Sequence, residues 1–219
     1  MLPLRLAKNG TDAPLQVLCL GAHSDDIEIG CGGTVLRLAA TMPQAEFTWV
    51  VLSGDARRAD EARCSAARFV GTTRATVVVK EFRDGFFPYI GAGIKDFFET
   101  LKHEDAPDVI FTHYRGDRHQ DHRLVSDLTW NTFRDHLILE YEVPKYDGDL
   151  GRPNWYVPLD ERTCRTKTRN LLDAFASQRD RRWFTEETFR ALMRLRGVEC
   201  AAPEGYAEAF YAHKLSWVT

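Results

Sequence analysis

Short apolar runs of strand length return along this chain, with helix-like segments between them, and that alternation restricts the fold more than any other feature. The runs are Leu15–Leu20 (LQVLCL), Phe47–Leu52 (FTWVVL), Ala75–Val79 (ATVVV), Asp108–Thr112 (DVIFT) and Leu137–Val143 (LILEYEV). Apolar segments this short, several of them rich in β-branched and aromatic residues, read as buried strands. Thr34–Ala40, Ala59–Val70, Ile94–His103 and His122–Phe133 lie between or beside them and read as helices, the second closed by Gly71 as a glycine C-cap. Asn154–Pro158 adds a strand candidate, and Arg162–Ala176 and Glu186–Leu195 two more helices. Such alternation predicts an α/β fold with a mostly parallel sheet, because parallel strands need crossover connections that helices supply.

The 219 residues suit one domain spanning 1–219, with no linker or internal repeat to divide them. Lys145–Arg152 (KYDGDLGR) is the most turn-prone stretch and reads as a surface loop within that domain. A net charge of −3 argues against a nucleic-acid partner. No apolar stretch approaches the ~20 residues of a membrane span. The opening MLPLRLAKNGTDAP lacks the cleavage pattern of a signal peptide, and the five cysteines are scattered without a CxxC pair. Both features predict a cytoplasmic chain with reduced thiols.

In open α/β sheets, sites form at the carboxyl ends of strands. Two loops there are unusual. Ala22-His23-Ser24-Asp25-Asp26-Ile27-Glu28 follows the first strand, and Asp117-Arg118-His119-Gln120-Asp121-His122-Arg123 follows the fourth. Together they hold three of the seven histidines. Imidazole nitrogen and carboxylate oxygen suit zinc and similar divalent ions, and a catalytic zinc keeps three protein ligands and a position for water. Two loops could supply two ligands plus one, leaving a carboxylate to act as base and a histidine to face a developing oxyanion. Each loop also has a plainer reading: a hydrogen-bonded histidine, or an Asp–Asp pair that merely caps a helix. Spacing alone leaves a phosphoesterase or a structural metal site open.

The string GAHSDDIEIGCGGT, followed about ninety residues later by DRHQDHR, resembles the PIG-L/LmbE family of zinc-dependent N-acetylglucosaminyl deacetylases. Gly32-Gly33-Thr34, Arg58 with Glu61, Ala176-Ser177-Gln178 and Glu208-Ala209-Phe210 extend the similarity along the chain. The resemblance implies a Rossmann-like three-layer α/β/α fold. It implies His23, Asp26 and His122 as ligands of Zn2+ or another divalent transition metal, and Asp25 as general base. It also implies His119 as the group that stabilises the oxyanion, with Asp121 supporting it. Arg58 and Asp84 would hold sugar hydroxyls. The implied substrate is a small-molecule N-acetyl sugar conjugate, and the implied assembly a homo-oligomer, trimer or hexamer. A hydrolase of a non-sugar amide or ester, or a metal- or phosphate-binding module without turnover, is the alternative.

Two departures from the family pattern point to a subgroup with its own substrate: Ser24 replaces the usual proline, and Ile27 stands where many members have glutamate, with Glu28 one step on. Gly30-x-Gly32-Gly33 does not complete a GxGxxG phosphate loop and reads as a close-packed helix start. His113, at the end of the fourth strand, reads as a core or supporting residue rather than a fourth ligand. Phe86, Phe87, Tyr89, Trp155 and Tyr156 are candidates for an aromatic floor under a substrate ring or, equally, for caps on the core.

Overall fold

The computed structural model describes Leu4, Leu6 and residues 13–104 and 106–216. The N-terminal stretch examined for a signal peptide lies largely outside the described residues. The elements run β1 (Gln16–Gly21), α1 (Asp26–Thr41), β2 (Glu46–Val51), α2 (Ala56–Val70), β3 (Arg74–Val79), α3 (Gly91–Glu104), β4 (Val109–His113), α4 (Gln120–Thr132), β5 (Leu137–Tyr141), β6 (Trp155–Leu159), α5 (Glu161–Ala174), α6 (Glu186–Glu199) and β7 (Tyr206–Ala212). The strands form one sheet in the order β3-β2-β1-β4-β5-β7-β6. β1 to β5 pair in parallel, and β7 runs antiparallel between β5 and β6. Among the described residues no helix is long and apolar enough to cross a membrane.

The strand runs look continuously apolar because both faces of the sheet are covered. Along β1, Val17 and Cys19 enter one core, with Phe69 and Val70 of α2 and Leu171 of α5, while Leu18 and Leu20 enter the other, with Ile94 and Phe98 of α3 and Val125 of α4. The same period-two division recurs on β2, where Phe47, Trp49 and Val51 face the first core and Val50 faces the second. The result is the expected helix–sheet–helix sandwich.

Two elements differ from the sequence reading. The first helix begins at Asp26, not near Thr34. Its glycines pack closely, as read from the sequence: a Cβ on Gly30 would stand 2.0 Å from the Tyr141 ring, and one on Gly33 2.6 Å from Leu159. The sequence reading also has no strand at β7. Alanine and glutamate depress strand propensity in YAEAFYA, but pairing on both sides with β5 and β6 outweighs it.

Order reverses between β1 and β4, which pair through Val17–Val109, Leu18–Ile110 and Cys19–Phe111. This is the switch point where a crevice opens beyond the carboxyl ends of the strands. The two loops rich in histidine and aspartate leave from these two strands.

Candidate metal centre

His23 lies in the turn between β1 and α1, and Asp26 opens the helix. The His23 backbone N–H donates to Asp26 Oδ2 at 2.7 Å, which folds the two side chains onto one side of the turn. His122 sits in the first turn of α4. His23 Nδ1 is 3.2 Å from His122 Nε2 and 3.2 Å from Asp26 Oδ2, and His122 Nε2 is 3.4 Å from Asp26 Oδ1. Bonds of about 2.0–2.1 Å to a tetrahedral zinc would set ligand atoms roughly 3.3–3.4 Å apart. Two imidazole nitrogens and a carboxylate that turns Oδ2 to His23 and Oδ1 to His122 are a donor set of the type and spacing that suits such an ion.

The electrostatics agree with the chemistry of the donors. Burial acts first on Asp26 and would raise it, but His122, His113 and His23 together hold its carboxyl well below the usual range. Burial, reinforced by the neighbouring His113, lowers His122 to about 3, leaving a neutral imidazole with a lone pair to offer. Burial would lower His23 too; Asp26, Asp121 and Asp84 reverse this and raise it. A metal ion at Nδ1 would have to displace that proton.

Each of these candidate side chains is held from behind. His122 Nδ1 lies 2.9 Å from Asp117 Oδ2, so an Nδ1–H donor leaves Nε2 facing Asp26. Asp117 in turn meets Lys145 Nζ at 2.9 Å and accepts the His119 N–H at 2.7 Å. The Nε2 of His23 lies 3.1 Å from Asp84 and 3.4 Å from Asp121. His113, fully buried, stacks on His122 and places Nε2 3.3 Å from Asp26 Oδ2. The Ala22 N–H also points at that Nε2 at 3.0 Å, and Asp26, His113 and His122 form a second group of donors close enough to share an ion.

Asp25 stands at the N-cap position of α1, yet its side chain caps nothing. The plain helix-cap reading therefore fails for this carboxylate. It is buried, and Arg58 Nη2 approaches to 3.8 Å. Burial, aided by the charge of Asp26, pushes its carboxyl up to about 6 against the pull of Arg58 and His23. Glu28, next on the helix, is fully buried and pushed well up by burial.

His119 is the N-cap of α4 and accepts the Asp121 backbone N–H at Nδ1, which puts the proton of the neutral ring on Nε2. Burial, with the charge of His23, lowers its pKa and favours that neutral form. The expected support of His119 by Asp121 thus comes through the backbone. The Asp121 carboxylate instead accepts the N–H groups of Gly85 at 2.7 Å and Phe87 at 3.1 Å, fixing the loop that carries Asp84. Arg58 reaches the site from the first turn of α2, whose N-cap Asp55 accepts its backbone N–H. Its guanidinium donates to Asp84 at 3.2 Å.

The eight residues given site roles in the sequence thus form one connected cluster beyond the carboxyl ends of β1 and β4. Asp117 and Lys145 carry roles the sequence reading did not assign. Asp117 lay within the quoted motif, five residues before His122, and carboxylate support of a ligating histidine is a general pattern. Lys145 gave no such signal, because it comes from the stretch read as surface loop. Of the aromatics, Phe87 is buried in the second core and Trp155 packs against the first, while Phe86 and Tyr89 are exposed.

Similarity to known proteins agrees. The chain is 29% identical over 140 residues to the uncharacterized deacetylase YaiS of Escherichia coli (strain K12), covering 58% of this chain and 74% of that protein. Its fold matches the N,N'-diacetylchitobiose deacetylase of Pyrococcus horikoshii with a TM-score of 0.65 at 22% identity, over 92% of this chain and 84% of the other. It also matches the 4-carboxy-2-hydroxymuconate hydratase of Pseudomonas putida KT2440, with a TM-score of 0.69 at 16% identity, over 94% and 98% of the two chains. Fold alone therefore does not choose the reaction. Residues 18–133, more than half of the sequence and inclusive of both loops, match the family described as PIG-L: GlcNAc-PI de-N-acetylase, and the chain belongs to this deacetylase family.

Proposed function

We propose that the chain hydrolyses the N-acetyl group of an N-acetylglucosamine-type sugar conjugate, releasing acetate and the free amine. The observation that carries this reading is the close cluster of His23, Asp26 and His122, accompanied by a separate buried carboxylate, Asp25, that neither caps its helix nor belongs to the cluster. A binding site needs the ligands; only a hydrolytic one has use for the spare base. A zinc or similar ion held by the three ligands supplies, when bound, Lewis acidity toward a carbonyl and a water whose pKa falls toward ~7.

Asp25 accepts a proton from water as the oxygen attacks the acetyl carbon. Its raised pKa brings it nearer to neutrality, where a carboxyl can both take a proton and give it back. His119 offers Nε2–H to the carbonyl oxygen as negative charge collects there. The C–N bond then breaks, the nitrogen leaves as an amine with the proton returned by Asp25, and the acetyl group leaves as acetate. Arg58 and Asp84, hydrogen-bonded to each other beside His23, bind hydroxyls of the sugar in this reading. Phe86 and Tyr89 supply exposed rings beside them, suited to the face of a sugar. The sugar class is supported by the family's description and by the substrate in the name of the Pyrococcus horikoshii protein.

The test is acetate release by the zinc-loaded protein from free, lipid-linked, nucleotide-linked and glycosidic N-acetylglucosamine, with acetylated non-sugar amides and esters alongside. Release from at least one sugar conjugate, in preference to the non-sugar substrates, is expected. Release confined to the non-sugar amides or esters would overturn the substrate class, and no release from any of them would overturn the hydrolytic reading.

A further inference from the structure

We propose that Lys145 is a positioning residue for the metal ligand His122, acting through Asp117. The inference rests on the ligand set proposed above. Lys145 follows β5, and only 9% of its side chain is exposed. Its ammonium lies 2.9 Å from Asp117 Oδ2 and 2.7 Å from Asp149 Oδ2. The same Asp117 oxygen faces His122 Nδ1 at 2.9 Å, and the other accepts the His119 N–H at 2.7 Å. One carboxylate thus has both oxygens fixed, one on the ring of His122 and the other on the backbone of His119.

The physical need for Lys145 follows from burial. Asp117 is 3% exposed. A carboxylate so enclosed holds its place only with a cation or a full set of donors around it. Lys145 is the ammonium that meets it. Without that charge, Asp117 gains by turning toward water, and its hold on the His122 Nδ1–H is lost. His122 can then rotate or change tautomer, and Nε2 no longer points at Asp26 and His23. Asp149 completes the device. It also accepts the Arg118 N–H at 2.7 Å, so the segment after β5 is tied to the loop that carries His119. The stretch is the surface loop that its sequence suggests, exposed at Tyr146, Asp147 and Leu150, but Lys145 and Asp149 turn inward from it as a brace behind His122.

The experiment titrates Zn2+ against a chromophoric chelator, on the full chain and its variants, after far-UV circular dichroism has established the fold of each. Lys145→Met should weaken zinc binding by about 10–100-fold, the range seen when a group behind a ligand is lost. Lys145→Arg, which keeps the charge, should recover most of that loss. Cobalt substituted for zinc should show an altered d–d absorption in Lys145→Met but not in Lys145→Arg, a signature that general destabilisation would not produce. If Lys145→Met does not fold, Asp149→Asn replaces it, with a smaller weakening in the same direction. A folded Lys145→Met, or its replacement Asp149→Asn, with wild-type zinc affinity and cobalt spectrum would overturn the role of Lys145. A wild-type chain that binds no zinc would instead overturn the ligand set itself, so the two failures are distinguishable.

Discussion

Asp25 and Asp26 are chain neighbours held in opposite electrostatic settings. Three imidazoles surround Asp26 and keep it ionised against the cost of burial, whereas burial and the charge of Asp26 itself push Asp25 up to about 6. Two carboxylates driven apart in this way are suited to two tasks, one as ligand and one as base. Substitutions should separate the tasks. Asp25→Asn keeps the size of the side chain and touches no ligand, so bound zinc should stay near the wild-type level. Acetate release should fall by about 10²–10⁴-fold, the contribution of a positioned base. His122→Ala should lose the zinc as well, as read by metal analysis after desalting. An Asp25→Asn variant with near-wild-type turnover would rule out the assigned base.

At the level of elements, the first helix shows how close packing sets what residues a segment can contain. α1 carries Asp26 and must lie tight against β5, where the Tyr141 ring occupies the place of a Gly30 side chain. That ring is itself fully buried and its hydroxyl donates to the Leu20 carbonyl at 2.7 Å, so it has little room to move. Gly30→Ala gains up to about 1 kcal/mol of helix propensity. Overpacking against an immobile ring costs about 1–3 kcal/mol or more. At a separation of 2.0 Å the clash wins, and the urea midpoint should fall. Gly93, in the first turn of α3, gives the contrast: a Cβ there would meet only Phe82 at 3.9 Å. Gly93→Ala should raise stability by about 0.4–1 kcal/mol. Opposite signs for two glycine-to-alanine changes in helices would show packing, not propensity, in control at Gly30.

Across the whole molecule, a buried ion pair ties the two ends of the fold together. Lys167 of α5 meets Glu208 of β7 at 2.6 Å and donates to the Ile29 carbonyl in α1. Glu208 also accepts the N–H groups of Gly33 and Thr34 at 2.7 and 2.6 Å. Lys167→Met would leave that carboxylate buried with its cation gone, a change expected to cost about 3–5 kcal/mol in a urea unfolding curve. A loss under about 1 kcal/mol would mean that the two backbone donors and the Thr34 hydroxyl suffice for Glu208. The strand that carries Glu208 was not legible as a strand, because its pattern makes sense only between β5 and β6. The two loops were legible as a candidate metal site from their residue types, while the separate roles proposed for His23, Asp25, Asp26 and His122 came from the family resemblance. Asp117 was visible but without a role, and Lys145 was hidden, because a lysine in a polar turn gives no local sign that it will be buried. The sequence by itself determined the α/β alternation, the two loops and the residue types able to hold a metal ion, all of which rest on local pattern and chemical identity. Only the tertiary structure decided that β1 and β4 lie side by side, bringing His23 within 3.2 Å of His122 across 99 residues. It also decided which charges stand behind each ligand. Distance and burial arise from how separate segments pack, and no single segment encodes them.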